Sequence, residues 1–243
     1  MLVEVEGIII TERSYSETSK ILTILTREYG VISVLAKGAK QLKSELHSFT
    51  EKLTYAKFNI QYKKDKLSLL INATIIDNLK NIKKDIEKIS YVSYILELTE
   101  QVSRTHFNES VFDMAIAAIL KINAGYDGLV IMNILELKYL DYLGVTPIID
   151  CCSVCGTKTN IKTLSSSAGG FVCNKCFKND YIVSPKTLKM IRIYYYLDLE
   201  KIEKINVSDN IKNEINNFLD NYYERYTGLY LKSKNFIKAL KNL

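Results

Sequence analysis

All five cysteines of this chain fall between positions 151 and 176, and no other feature restricts the fold so tightly. Four of them form two pairs, Cys152-x-x-Cys155 and Cys173-x-x-Cys176, with 17 residues between the pairs. This is the paired-knuckle spacing of a tetrahedral zinc site, in which each pair supplies half of the coordination sphere. Two intervening residues let backbone N–H groups turn toward the thiolates. Gly156 follows the second ligand, where a knuckle needs a small residue, and Gly169-Gly170 lets the chain turn back before Cys173. Four thiolates leave no open position for water, so the spacing predicts one structural Zn2+ rather than a catalytic one. The competing readings are buried thiols or a redox pair, which two matched pairs do not favour. Cys151 would serve only by opening the first pair to three intervening residues, and it is left out. The segment 145–183 around these residues reads as loop with little core of its own, so the ion is expected to hold it together.

The rest of the chain divides by period. In residues 1–79 apolar residues recur at every second position. Val3-Glu-Val-Glu and Ile8-Ile-Ile begin the pattern, and Lys20–Thr26 and Val31–Ala36 follow with Glu28-Tyr-Gly30 as the turn between them. Phe58, Ile60 and Tyr62 alternate with Lys57, Asn59 and Gln61, and Leu67–Ile76 completes a set of five strands. So few strands in so short a stretch, with one longer connection at 38–52, predict a closed barrel of the OB type. A β-sandwich usually needs more strands. From residue 80 the period becomes helical. Ile86, Ile89, Leu96 and Val102 mark one helix, 110–123 a second, and Met132, Leu135, Tyr139 and Leu143 a third that ends at Gly144. Ser184-Pro185 opens another with Ser at the N-cap and Pro at the first helical position. Ile211, Ile215, Phe218, Tyr222, Tyr226 and Leu229 mark the next. The fold class expected is therefore α+β: an N-terminal OB-type barrel over 1–79, then a helical domain over 80–243 with an inserted zinc module at about 148–180.

Apolar residues make up 47% of the chain, enough for a sizeable core, yet no uncharged run is long enough to span a bilayer. The start, Met1-Leu-Val-Glu, lacks the basic and apolar blocks of a signal peptide. A cytoplasmic protein with reduced thiols is expected. The formal charge is +6, carried unevenly: 11 Lys and Arg against 9 Asp and Glu in residues 1–78, 7 against 10 in 79–150, and 15 against 8 in 151–243. Within residues 37–66 the count is 8 against 3. Lysines on barrel loops can track a phosphate backbone, and Tyr15, Tyr29, Phe58 and Tyr62 are candidates for stacking on bases. The same pattern also fits a solvated strand face with core aromatics.

A resemblance bears on that choice. Val5–Ile10, Tyr15–Gly30, Ala36-Lys-Gly-Ala-Lys40 and Lys43-Ser44 are similar to the opening of the RecO family of bacterial DNA-repair and recombination mediators. Leu143-Gly-Val-Thr-Pro147, Gly169-Gly170 and Leu231–Phe236 continue the resemblance, which spans nearly the whole chain. It implies an OB barrel followed by a helical domain carrying the zinc module. It also implies binding of single- and double-stranded DNA and annealing of complementary strands. The partners implied are RecR, single-strand binding protein and, indirectly, RecA, which would be loaded on coated DNA in the cytoplasm at the nucleoid. Lys37 and Lys40 fall on the family's basic barrel motif and are the first DNA contacts implied, with Lys43, then Arg13 and Lys57, after them. Lys186, Lys189 and Arg192 on one helix are a candidate receiver for the acidic tail of single-strand binding protein, and a solvated face explains them equally well.

No catalytic set is visible. His47 and His106 are the only histidines, and there is no Gly-rich phosphate loop followed by Lys-Ser or Lys-Thr. Carboxylates such as Asp198 and Glu200 read as solvated faces with lysines nearby. The expectation is a protein that is not an enzyme. Its main rival is a zinc-ribbon factor for RNA polymerase or the ribosome. A nuclease or tRNA-modifying enzyme would need clustered acids or a cofactor motif that the sequence lacks.

Overall fold

A computed structural model describes residues 1–240 apart from 42, 106 and 204, so His106 lies outside the described residues. Five strands form a closed barrel in the order β1-β2-β3-β5-β4: β1 Leu2–Ser14, β2 Lys20–Thr26, β3 Gly30–Ala36, β4 Tyr55–Gln61 and β5 Ser68–Asp77. Closure depends on β1, which serves two neighbours. Its first half pairs with β4 from Leu2 to Ile8, and its second half pairs with β2 from Gly7 to Ser14. A register shift between Ile9 and Thr11 bends it at the changeover. The last seam is short and parallel, Val34 against Ser68 and Leu35 against Leu69. Every second side chain points inward, and Val5, Ile9, Leu22, Ile24, Val34, Phe58 and Ile60 fill the lumen without reaching solvent. This is the five-stranded barrel that the alternation predicts. Truncating Phe58 to Ala would leave a cavity costing about 3–5 kcal/mol.

Helices follow: α1 Lys80–Lys83, α2 Ile86–Thr105, α3 Glu109–Asn123, α4 Gly128–Tyr142, α5 Pro185–Tyr196, α6 Asp209–Tyr226 and α7 Lys232–Leu240. Their starts agree with the sequence signals. Ser184 caps α5 by accepting from the Thr187 N–H, with Pro185 in the first turn. Leu229 falls beyond the end of α6, because the helix stops at Tyr226 and Gly228 takes a left-handed φ of 65°. Ile86, grouped by period with the buried face of α2, is exposed. Among the described residues no helix is long and apolar enough to cross a membrane.

The described residues pack as two compact units. One contains residues 1–124 and the chain from Ser233 onward, and the other contains Gly125–Lys232. In the first, Arg27 at the β2–β3 turn makes two hydrogen bonds with Asp113 of α3, at 2.9 and 3.1 Å. Ser233 of α7 donates to the Glu97 carboxylate of α2. In the second, α4 is buried on nearly every side, and α5 and α6 pack against it. Glu214 of α6 reaches the start of α5, accepting from the Ser184 N–H at 3.0 Å and from the Thr187 hydroxyl. Burial pushes the Glu214 carboxyl up, but hydrogen bonds from Thr187, Ser184 and Asn210 outweigh it and hold the group below its ordinary value.

The segment 145–183 departs from expectation. It contains an antiparallel hairpin, β6 Ile161–Ser165 and β7 Gly170–Cys173. Ile149, Leu164, Phe171, Val172 and Val183 are all buried, so the segment has apolar packing where loop was expected. The apolar run is too short and too interrupted by polar residues to show a period.

Candidate metal centre and nucleic-acid interface

Cys152 and Cys173 are buried, Cys176 is half-buried and Cys155 is exposed, so each knuckle pairs one buried cysteine with one that reaches toward solvent. The four Sγ atoms lie within 4.8 Å of one another, and those of Cys155 and Cys173 are 3.7 Å apart. A tetrahedron with metal–sulfur bonds of about 2.3 Å has edges of about 3.8 Å, so the donor set fits such an ion in size and chemistry. Cys151 stands outside the group of four, as expected.

The backbone builds this site. The Gly156 N–H donates to the Cys152 carbonyl at 2.8 Å, closing the first knuckle, and Gly156 takes φ +76° as the following residue. In the second knuckle the N–H groups of Cys176 and Phe177 both donate to the Cys173 carbonyl, at 3.1 and 2.9 Å. The Cys173 N–H points at Cys152 Sγ, 3.4 Å away, and joins the two halves. Burial alone would raise the Cys152 thiol, but N–H groups of Cys173, Cys155 and Val154 bring it down to about 6. Cys176 moves the other way, pushed up to about 12 by its hydrogen bond with Cys155, by burial and by the other thiols. Four sulfurs this close cannot all carry charge unless a cation offsets it.

Gly170 has a tighter duty than chain freedom. Ile148 bridges it in parallel, and a Cβ on Gly170 would sit 2.0 Å from the Ile148 carbonyl oxygen. That contact ties the segment before the first pair to β7, which leads into the second. Arg192 of α5 braces the same place. It donates to the carbonyls of Ile149 and Asp150 at 2.7 and 3.2 Å and lies over the Phe171 ring. It is therefore occupied structurally, while Lys186 and Lys189 are exposed. Nothing in the spacing of α5 reveals this role, because its partners are backbone carbonyls.

On the barrel, Ala36 and Ala39 are fully buried, while Lys37 and Lys40 between and after them are exposed. The motif thus works as an anchor: two alanines plug the barrel end and hold two ammonium groups outside. Gly38 turns the chain with φ +72°, and the Lys40 N–H and Nζ reach the carbonyls of Thr18 and Ser16 at 2.9 and 3.0 Å. Lys43 is exposed further along the same loop. Arg13 is exposed near the end of β1, and the pairs Ser14–Lys20 and Lys20–Ala36 bring that end beside the exit of β3. Tyr15, 61% exposed, lies in the same turn. Lys57 stands apart on the outer wall of β4, where its Nζ lies 3.4 Å from Glu4. Phe58 belongs to the core and faces no ligand, which corrects its reading as a stacking residue. Tyr29 and Tyr62 stack on each other with centroids 4.2 Å apart.

A closed OB-type barrel, a helical part and a four-thiol cluster together define a protein class, and comparisons identify which one. The model for the family "Recombination protein O N terminal" matches residues 1–79, and that for "Recombination protein O C terminal" matches 83–235. A protein of Bacillus pumilus (strain SAFR-032) named DNA repair protein RecO is 34% identical over 247 residues, covering 100% of this chain and 96% of that one. Proteins of the same name in Listeria monocytogenes serotype 4b (strain CLIP80459) and Bacillus cereus (strain AH187) are 33% and 35% identical. They cover 97% and 99% of this chain, and 93% and 98% of their own lengths are matched. The chain belongs to the RecO family.

Proposed function

We propose that this protein is a recombination mediator in DNA repair. It binds single- and double-stranded DNA through the barrel domain of residues 1–79. It anneals complementary strands, and it acts with RecR to load RecA on DNA coated by single-strand binding protein. Residues 80–243 form the partner-bearing domain, stabilised by one Zn2+ on Cys152, Cys155, Cys173 and Cys176. The protein works in the cytoplasm at the nucleoid and carries out no covalent chemistry. The observation that carries this reading is the anchored loop Ala36–Lys40. Its buried alanines hold Lys37 and Lys40 exposed beside Arg13, Tyr15 and Lys43 at one end of a barrel. Exposed ammonium groups fixed by a rigid barrel suit phosphates and give contact without sequence preference.

Annealing needs only that repulsion between two strands be offset while pairing nucleates. Base pairing supplies the free energy, so nucleotide hydrolysis has no part in it. Zinc would hold the two knuckles at their observed spacing, and with all four positions filled by sulfur it would take no part in chemistry. Fluorescence-followed pairing of long complementary strands, bare or coated with the cognate single-strand binding protein and without nucleotide, tests the reading. Acceleration that high salt abolishes is expected. Folded, zinc-loaded protein that accelerates neither kind of strand would overturn the reading in favour of the zinc-ribbon factor, which no observation otherwise favours.

A further inference from the structure

The barrel carries a second place for nucleic acid, at the opposite end of β3 from Lys37. There β3 and β5 have not yet paired, since their seam begins only at Val34 and Ser68. The gap is a cleft of about 340 Å³ lined by Tyr29, Ser33, Tyr62, Lys63, Asp65 and Lys66, among others. We propose that this cleft seats one unpaired nucleotide of a single DNA strand, an inference that rests on the barrel being the DNA-binding domain.

Its volume is at the lower end of the range for small-ligand clefts, which suits one base and excludes a duplex. The aromatic surface is rigid before any ligand arrives. Tyr29 and Tyr62 stack at 4.2 Å with an interplanar angle of 20°, which leaves no room for a base between them and makes the pair one platform. Both residues are fixed at the backbone. The Tyr62 N–H donates to the Met1 carbonyl at 2.8 Å. The Tyr29 N–H donates to the buried Thr26 hydroxyl, which itself donates to the Gly30 carbonyl at 2.8 Å. A base lying against the platform loses little entropy in ordering protein groups, and stacking is tolerant of base identity.

The rim supplies the charge. Lys63 and Lys66 lie in a closed turn, with the Lys66 N–H donating to the Lys63 carbonyl at 3.3 Å, and both are exposed. They suit the phosphates on either side of a seated base. Asp65 repels phosphate and is an acceptor for base N–H groups, the amino groups of cytosine, adenine and guanine or the ring N–H of thymine, so the cleft takes any unpaired base. A paired base keeps its faces stacked within the duplex and cannot use the platform, which separates this cleft from a general phosphate surface. The seven residues of β3 separate it from Lys37, roughly 20 Å along a strand. One single strand lying along β3 can therefore meet both places.

The test uses the full-length, zinc-loaded protein and a single-stranded oligonucleotide of about 12 nucleotides, within the span of one OB barrel. Incorporated 5-iododeoxycytidine is crosslinked by light and the modified peptide is mapped. Crosslinks on Tyr29 or Tyr62 are expected. Tyr62→Leu should weaken single-strand binding about tenfold, and Lys63→Gln with Lys66→Gln about fivefold while duplex binding holds. The exposed lysine pair keeps the test valid if the tyrosine variant folds poorly. Three results would overturn the proposal: crosslinks confined to residues 37–43 with parental affinity in the lysine variant, equal loss for duplex and single strand, or competition by free dCMP as strong as by the oligonucleotide. In each of these the barrel remains DNA-binding. Parental affinity in both this variant and the Lys37/Lys40/Lys43→Ala variant would instead remove the barrel reading itself.

Discussion

The barrel and the cysteine hairpin are both small β structures, and they differ in what closes them. Around Leu22, Ile24, Phe58 and Ile60 the barrel closes on itself, leaving no free edge except where β3 and β5 diverge. The hairpin has two strands, which seldom persist alone in water. Its few buried apolar residues, Leu164, Phe171 and Val172 among them, are fastened by point contacts: the Ile148–Gly170 bridge, the Arg192 brace and the sulfur cluster. A structure held by diffuse apolar packing tolerates changes on its surface. One held by point contacts fails when a single atom is misplaced. The loop carrying Lys37 and Lys40 therefore sits where charge can change freely, whereas the knuckle residues cannot.

Removal of a sulfur should have the largest effect on the molecule. Cys173→Ser should lose metal and solubility together, because it removes one of the four thiols that lie within 4.8 Å of one another while leaving the backbone hydrogen bonds of the knuckle in place. Metal analysis of protein purified without chelator should give about one zinc per chain, and hydrogen exchange should rise across 145–183. With Leu164, Phe171 and Val172 buried, the helical layer of α4, α5 and α6 should keep its protection. Complete unfolding of that layer would mean that the metal matters beyond the hairpin.

Next in size is Gly170→Val. A side chain there meets the Ile148 carbonyl at 2.0 Å, so the bridge must open at a cost of about 2–4 kcal/mol. Thermal unfolding and zinc retention would measure it together, and an unchanged Tm would show that the bridge is dispensable.

Glu214→Gln should cost about 1–3 kcal/mol, with a pH signature. The folded carboxyl lies below its ordinary 4.5, so its contribution is fully present above that value and fades as pH falls through the folded one. The parent's lead over the variant should be constant near neutrality and shrink only in acid. A lead that persists unchanged through acid denaturation would mean that the charge is irrelevant.

The smallest effect on stability, and the largest on binding, belongs to Lys37→Ala with Lys40→Ala and Lys43→Ala. All three residues are exposed, so Tm should hold. Single-strand affinity should fall for every sequence, and the salt slope should flatten by about one unit or less per lost contact. Lys57→Ala, whose ammonium group faces Glu4, should change binding less than any of them. A larger loss from Lys57 would move the interface to the outer wall of β4.

Much of this molecule was legible from local pattern. Alternation from Val3 to Ile76 determined a small barrel, because a period of two fits only strands with one face buried. The two Cys-x-x-Cys pairs pointed to the four thiols that the fold gathers within 4.8 Å, because knuckle geometry is local to each pair. Ser184-Pro185 determined the start of α5 for the same reason. What remained hidden depends on contacts distant in sequence. The hairpin inside 145–183 is hidden because its strands are defined by pairing and not by period. Arg192 resembled its neighbours Lys186 and Lys189 until its fork met two carbonyls more than 40 residues away. Phe58 and Tyr62 alternate identically in sequence, yet one fills the lumen and the other lines a cleft. That difference arises where β3 and β5 part, and no residue's own chemistry records where a barrel's last seam begins.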